Sequence, residues 1–165
     1  MWWSSFMRTA AVLSIAVLLA SCGFRLQGTK AYPESIANTY IAADDRFTPF
    51  YRKLSVALKQ GGVNVTSSPI DADAVIRIEK DDTGQRVLTV SGRNVPTEYQ
   101  VYYSVRYSVW KNGSQIGKTR NLSDREDYSY DSTQVLGKAR EAEQLQDALA
   151  DRLVARVSRE LSSID

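Results

Sequence analysis

The stretch Tyr99-Gln-Val-Tyr-Tyr-Ser-Val-Arg-Tyr-Ser-Val-Trp110 decides the fold. Tyr99, Val101, Tyr103, Val105, Tyr107 and Val109 alternate with Gln100, Tyr102, Ser104, Arg106, Ser108 and Trp110, a period of two that belongs to a β-strand. The odd-numbered face is wholly apolar or aromatic, and the even-numbered face is mostly polar. At about 3.3 Å per residue such a strand is roughly 40 Å long. It predicts a long strand with one face that another element must cover.

Working outward, Asn112-Gly113 favours a type I′ hairpin into a polar returning strand over 115–122 that extends towards Tyr130. Upstream, 74–79 and 86–90 flank Asp81-Asp82-Thr83-Gly84, which reads as a hairpin turn with Gly84 supplying a positive φ. Downstream the period becomes helical over 134–162, where Leu145, Leu149, Leu153, Val157 and Leu161 lie four apart beside Ala142 and Val154. That stripe fits the odd face of the long strand. Nearer the amino terminus, 38–42 is a short strand. Thr48-Pro49 then provides an N-cap and a first helical residue, Phe50, Leu54 and Leu58 recur at spacing four, and Gly61-Gly62 ends the helix. These elements predict a single α+β domain over 38–165, a two-layer sandwich with two helices packed on one face of a mainly antiparallel four- to five-stranded sheet.

The composition narrows the chemistry. The chain has 165 residues, a formal net charge of +2, one cysteine and no histidine. So small a net charge disfavours nucleic acid as a partner. The absence of histidine removes the commonest general base and metal ligand, and a single cysteine excludes an internal disulfide or a multi-cysteine metal site. No Ser-x-x-Lys spacing stands beside a glycine-rich strand-to-helix turn, and no glycine motif for phosphate is present. The acidic pairs Asp44 and Asp45, Asp71 and Asp73, and Asp81 and Asp82 read as solvated turns. Neither an enzyme nor a resident cofactor or metal is expected. Charge is unevenly spread, however: residues 83–122 hold Arg86, Arg93, Arg106, Lys111, Lys118 and Arg120 against Glu98 alone, whereas 124–147 are mostly acidic. The first of these regions attracts anions.

The first residues address the chain to a compartment. Arg8 precedes the apolar run Thr9–Ala20, which is shorter than the roughly 20 residues a membrane span needs. It reads as a secretory signal peptide over 1–21, with Met7 an alternative start to Met1. Leu19-Ala20-Ser21-Cys22 resembles the bacterial lipobox. That resemblance implies that Cys22 receives a diacylglyceryl group on sulfur, becomes the first mature residue, and is acylated on its amine. Gly23 in second place implies export to the outer membrane. Residues 22–37 then read as a lipid-anchored tether.

From Cys22 onward a second resemblance extends over nearly the whole mature chain. Cys22-Gly23-Phe24-Arg25-Leu26-Gln27-Gly28 is followed by Gly92-Arg93-Asn94, by Thr97-Glu98-Tyr99-Gln100, by Arg125, Tyr128 and Tyr130, and by Val135-Leu136-Gly137-Lys138-Ala139-Arg140-Glu141. In this order and spacing they resemble the lipopolysaccharide-assembly lipoproteins, partners of the outer-membrane lipopolysaccharide translocon. The resemblance implies a non-enzymatic outer-membrane lipoprotein that plugs a large β-barrel protein, supports its assembly and binds lipopolysaccharide during insertion into the outer leaflet. The domain then sits within the partner barrel or faces the periplasm. It also implies that Arg93 and Lys138 contact lipopolysaccharide, with Arg86, Arg106, Lys118 and Arg120 as further basic candidates.

Two other readings belong to different classes: an auxiliary lipoprotein of an ABC-type lipid transport system, and a lipid-anchored hydrolase, for which the chain shows no nucleophile. Lipidation is directly testable. Cys22→Ser should leave an uncleaved precursor, since an alcohol does not replace the thiol as acceptor; an unmodified Cys22 in the wild-type amino-terminal peptide by mass spectrometry would refute the anchor.

Overall fold

The computed structural model describes residues 32–131, 133 and 135–164. The signal peptide, Cys22 and all but the last residues of the expected tether lie outside that range. The elements are β1 (Asn38–Ala42), α1 (Pro49–Gln60), β2 (Asn64–Thr66), β3 (Ala74–Val90), β4 (Pro96–Lys111), β5 (Ser114–Ser129) and α2 (Val135–Leu161), with short 3-10 turns at Glu34–Ile36 and Pro69–Asp71. The strands form one sheet in the order β2-β1-β3-β4-β5. β3, β4 and β5 are antiparallel neighbours, whereas β1 pairs in parallel with both β2 and β3. The fold is α+β with a mainly antiparallel sheet, as expected. Among the described residues no helix is long and apolar enough to cross a membrane.

β4 is the spine of the sheet. Its odd residues Val101, Tyr103, Val105, Tyr107 and Val109 are buried, and they share one core with Phe50, Leu54 and Leu58 of α1 and Leu149, Leu153, Val157 and Leu161 of α2. Removing each such side chain from water contributes roughly 1.5 to 3 kcal/mol. The hairpin after β4 turns on Asn112 and Gly113, both at positive φ, as a type I′ turn requires. In β5 the ladder is interrupted between Tyr107 and Val109 of β4, and Gly117, at φ 67°, takes up the extra residues.

Four features depart from the expectations. First, no turn forms at 81–84. β3 runs unbroken for 17 residues, and Asp81, Asp82, Thr83 and Gly84 pair with Val105, Ser104, Tyr103 and Tyr102. The length of β4 explains this, since it offers a partner to every one of those residues. The chain reverses instead at Ser91–Val95, where Asn94 takes φ 60° and its amide donates to the Ser91 carbonyl at 2.9 Å. Second, β2 is an additional strand, three residues long, that follows the glycine stop of α1. Third, the core begins before residue 38: Ile36, at the end of the stretch expected to be tether, is fully buried, and Tyr32 packs against the core. Fourth, Asp81 is not a solvated turn residue. Thr48, whose Oγ1 caps α1 by accepting from the Tyr51 amide at 3.2 Å, donates its own proton to Asp81. Tyr103 also bonds Asp81, and its hydroxyl oxygen accepts from the Phe50 amide at 3.2 Å. The start of α1 is thereby tied to two strands at once.

Two predictions follow from this packing. Leu149→Ala or Leu153→Ala should each cost about 2 to 5 kcal/mol, because both side chains are fully buried beneath the sheet and truncation leaves a cavity. Chemical denaturation measures this, and unchanged midpoints for both would place the stripe outside the core. The second concerns Asp81, whose carboxyl is raised above its ordinary value of 3.8: burial is the largest cause, Asp45 and Asp82 add to it, and the bonds from Thr48 and Tyr103 oppose it. A carboxyl with a raised folded-state pKa favours folding while protonated, and that contribution is lost as pH rises through the folded value. The stability of Asp81→Asn relative to wild type should therefore improve as pH is raised from about 3 to about 7, and parallel pH profiles would show that the carboxyl has no such linkage.

Candidate functional site

The long hairpin of β3 and β4 projects beyond β1, which pairs only with β3 residues 74–77. At this end the sheet has three strands, and the first turns of α2 approach it. Three tyrosines build the surface there. Tyr99 and Tyr128 face each other across β4 and β5 and stack with ring centroids 5.8 Å apart, and Tyr130 meets Tyr99 edge-on at 5.0 Å. The Tyr128 hydroxyl donates to Gln85 Oε1 at 3.0 Å, so β3 also holds the cluster.

Lys138 lies in the first turn of α2 above this cluster. Its Nζ is 5.9 Å from the Tyr128 ring centroid and 2.7 Å from Glu141 Oε2. With its side chain only 17% exposed, it is a directed cation rather than a freely swinging one. Arg93 stands in the Ser91–Val95 turn at the same end of the sheet, exposed, and among the described residues no carboxylate lies within 4 Å of its guanidinium. Lys138 and Arg93 thus share one end of the molecule without touching each other. Around Arg93 the strands are apolar yet uncovered: Val87, Leu88, Val90 and Val95 are each 44–49% exposed, and Leu136 at the start of α2 is 84% exposed. Val87 lies opposite Tyr99 on the helix side and Val90 opposite Pro96 on the other, so the apolar character reaches both faces of the hairpin.

The remaining basic candidates are dispersed. Arg86 and Arg106 lie on the sheet face turned away from the helices, where Arg86 bonds Gln100 and Arg106 donates to Asn121 Oδ1 at 2.9 Å. Lys118 sits on the Gly117 bulge near the opposite end, and Arg120 stands 3.9 Å from Glu160 at the end of α2. The local excess of positive charge is therefore not one patch. Much of the acidic stretch is used internally: Arg152 of α2 bonds Asp124 at 2.7 Å and Glu126 at 2.8 Å, and Lys53 of α1 bonds Asp147 at 2.9 Å and Asp151 at 2.7 Å.

The tyrosine cluster went unrecognised in the sequence, although Tyr128 and Tyr130 are two apart and so share a face of β5. Its pairing with Tyr99 depends on the strand register. Among the described residues no group of three or more Cys, Asp or Glu side chains is placed to hold a metal ion.

The architecture recurs in solved structures. It matches the uncharacterized lipoprotein B from Nitrosomonas europaea with a TM-score of 0.71 over 86% of this chain and 91% of that one, at 21% identity. The rare lipoprotein B from Shewanella oneidensis matches with a TM-score of 0.66 over 76% of this chain and 94% of that one, also at 21% identity. These likenesses concern the fold. In sequence, the model of the LptE family, described as lipopolysaccharide-assembly, matches residues 36–161, from Ile36 to the end of α2. The chain belongs to the LptE family. A relative named LPS-assembly lipoprotein LptE, from Yersinia enterocolitica, is 28% identical over 152 residues, covering 91% of this chain and 73% of the relative. The protein of the same name from Yersinia pestis is 24% identical over 155 residues, covering 93% and 74%. Membership in the LptE family assigns the chain to lipopolysaccharide assembly and to no enzyme class.

Proposed function

We propose that this LptE-family chain is an outer-membrane lipoprotein, anchored through Cys22, that seats in a large β-barrel translocon as plug and assembly partner. There it binds lipopolysaccharide during insertion into the outer leaflet. The observation that carries the reading is the family match over 36–161, and the geometry of the hairpin end supports it. A lipopolysaccharide inner region presents phosphates on sugars. Arg93 offers an uncompensated guanidinium suited to phosphate, and Lys138 offers an ammonium directed by Tyr128 and Glu141. The exposed valines and leucines flanking Arg93 are unusual for a surface without a partner and suit an apolar enclosure.

Two measurements test the two halves of the proposal. Affinity purification of the anchored chain from membranes should bring down a β-barrel protein of large size, and recovery of an inner-membrane transporter in its place would favour the ABC-type alternative. Reversing both charges, Arg93→Asp with Lys138→Asp, should weaken binding of purified lipopolysaccharide at least about tenfold, the loss expected for one or two charge-assisted contacts. Circular dichroism and barrel recovery should be unchanged. Equal binding by wild type and variant at matched salt would remove these residues from the site.

A further inference from the structure

The sheet face opposite the helices carries a second cationic arrangement, distinct from the end that bears Arg93 and Lys138. Register places Gly84, Tyr102 and Arg125 in one row across β3, β4 and β5, and Arg86, Gln100 and Asp127 in the next. Residues directly opposite one another share a face, so both rows look away from the helices.

The ring of Tyr102 lies across Gly84. A Cβ at position 84 would stand 2.8 Å from the phenol oxygen and 3.1 Å from the carbon that bears it, so only glycine leaves the ring where it is. Gly84 has no positive φ and forms no turn; its role here is to let an aromatic ring lie along the sheet. The ring floors a shallow concavity of about 500 Å³ lined by Arg86, Gln100, Tyr102, Ser123, Asp124 and Arg125.

The charges around that floor are arranged to stay available. Gln100 is 5% exposed, and its Oε1 accepts from Arg86 Nε at 3.0 Å and from Nη2, while its Nε2 donates to Asp127 Oδ1 at 2.7 Å. Arg86 is therefore held by a neutral amide and keeps its full charge for a ligand. Among the described residues, neither Arg86 nor Arg125 has a carboxylate within 4 Å of its guanidinium. The nearby acids are engaged elsewhere: Asp124 by Arg152, Asp127 by Gln100, and Asp82 by Lys80 at 3.3 Å.

A half-buried tyrosine ring between two guanidiniums fits one chemistry closely. The C–H face of a pyranose packs on an aromatic ring, and phosphate oxygens accept paired N–H bonds from arginine. We propose that this open face binds a phosphorylated saccharide, with Tyr102 as the stacking floor and Arg86 and Arg125 as the phosphate donors. Naming the lipopolysaccharide inner region as the source rests on the function proposed above; the chemistry of the site does not.

The test uses the full-length chain in detergent, with a bisphosphorylated glucosamine disaccharide as probe and the unphosphorylated disaccharide and inorganic phosphate as controls. The phosphorylated probe should shift the amide resonances of Gly84, Tyr102 and Arg125 and bind at least tenfold more tightly than either control. Arg86→Gln with Arg125→Gln should weaken it at least tenfold, and Gly84→Ala, which displaces the ring and keeps every charge, at least threefold. Arg93→Asp with Lys138→Asp should leave the probe-induced shifts at Gly84, Tyr102 and Arg125 in place. The site is overturned if the arginine pair variant binds like wild type, if the shifts map only to residues 91–95 and the start of α2, or if inorganic phosphate binds as well as the disaccharide. Intact lipopolysaccharide, titrated in parallel, separates the two proposals. Loss of its binding only in the Arg93 and Lys138 variant leaves the proposed function standing and removes lipopolysaccharide as the ligand of this site. Binding of the disaccharide without binding of lipopolysaccharide does the reverse.

Discussion

The odd-numbered face of β4 has to be kept from water, and most of the architecture answers that one requirement. Val101, Tyr103, Val105, Tyr107 and Val109 form a continuous buried row, and both helices contribute to covering it. α1 supplies Phe50, Leu54 and Leu58, and α2 supplies Leu149, Leu153, Val157 and Leu161. Two tyrosines within the row carry hydroxyls that burial holds well above the ordinary tyrosine range, and each is satisfied at an edge of the layer: Tyr103 by Asp81 and the Phe50 amide, Tyr107 by Glu160 near the end of α2. The apolar row thus supplies the burial energy, while its two hydroxyls fix where each helix lands.

With one face occupied by helices, the other face and the hairpin end stay uncovered. The division is physical. On the helix side, α2 pairs with both neighbours, its Arg152 with Asp124 and Glu126 of β5 and its Asp147 and Asp151 with Lys53 of α1. On the open side, Arg86 and Arg106 are oriented by the neutral side chains of Gln100 and Asn121. A cation held by an amide keeps its field, whereas one held by a carboxylate gives most of it up. A net charge of +2 therefore conceals two surfaces of different character.

Strictly local patterns were the legible part of the fold. The period-two run of 99–110, Asn112-Gly113, Thr48-Pro49 and the four-spaced leucines of α2 each specify backbone geometry through their own residues. What the sequence did not show depends on partners distant in the chain. Asp81-Asp82-Thr83-Gly84 has the composition of a turn and remains a strand, because β4 pairs with it residue by residue and Tyr102 requires the space over Gly84. β2 is three residues long and exists through β1, and Ile36 joins the core only because the chain folds back beneath it. Of the candidate site, Arg93 and Lys138 were singled out by family resemblance; the residues alone showed only a charge excess. The Tyr99, Tyr128 and Tyr130 cluster that holds Lys138 in place depends on register between strands separated by some thirty positions.

The place of α2 in the chain sets an order on folding. All five strands precede it, so the meander of β3, β4 and β5 can pair from local hairpins while the apolar row of β4 still faces solvent over its α2-covered part. That surface closes only when residues 149–161 have been delivered. A polypeptide crossing a membrane amino end first passes through an interval in which its longest strand is exposed and its cover has not arrived, the situation in which aggregation competes best with folding. With its cover last in the chain, the β4 row is the apolar surface that stays open longest while the elements are being delivered.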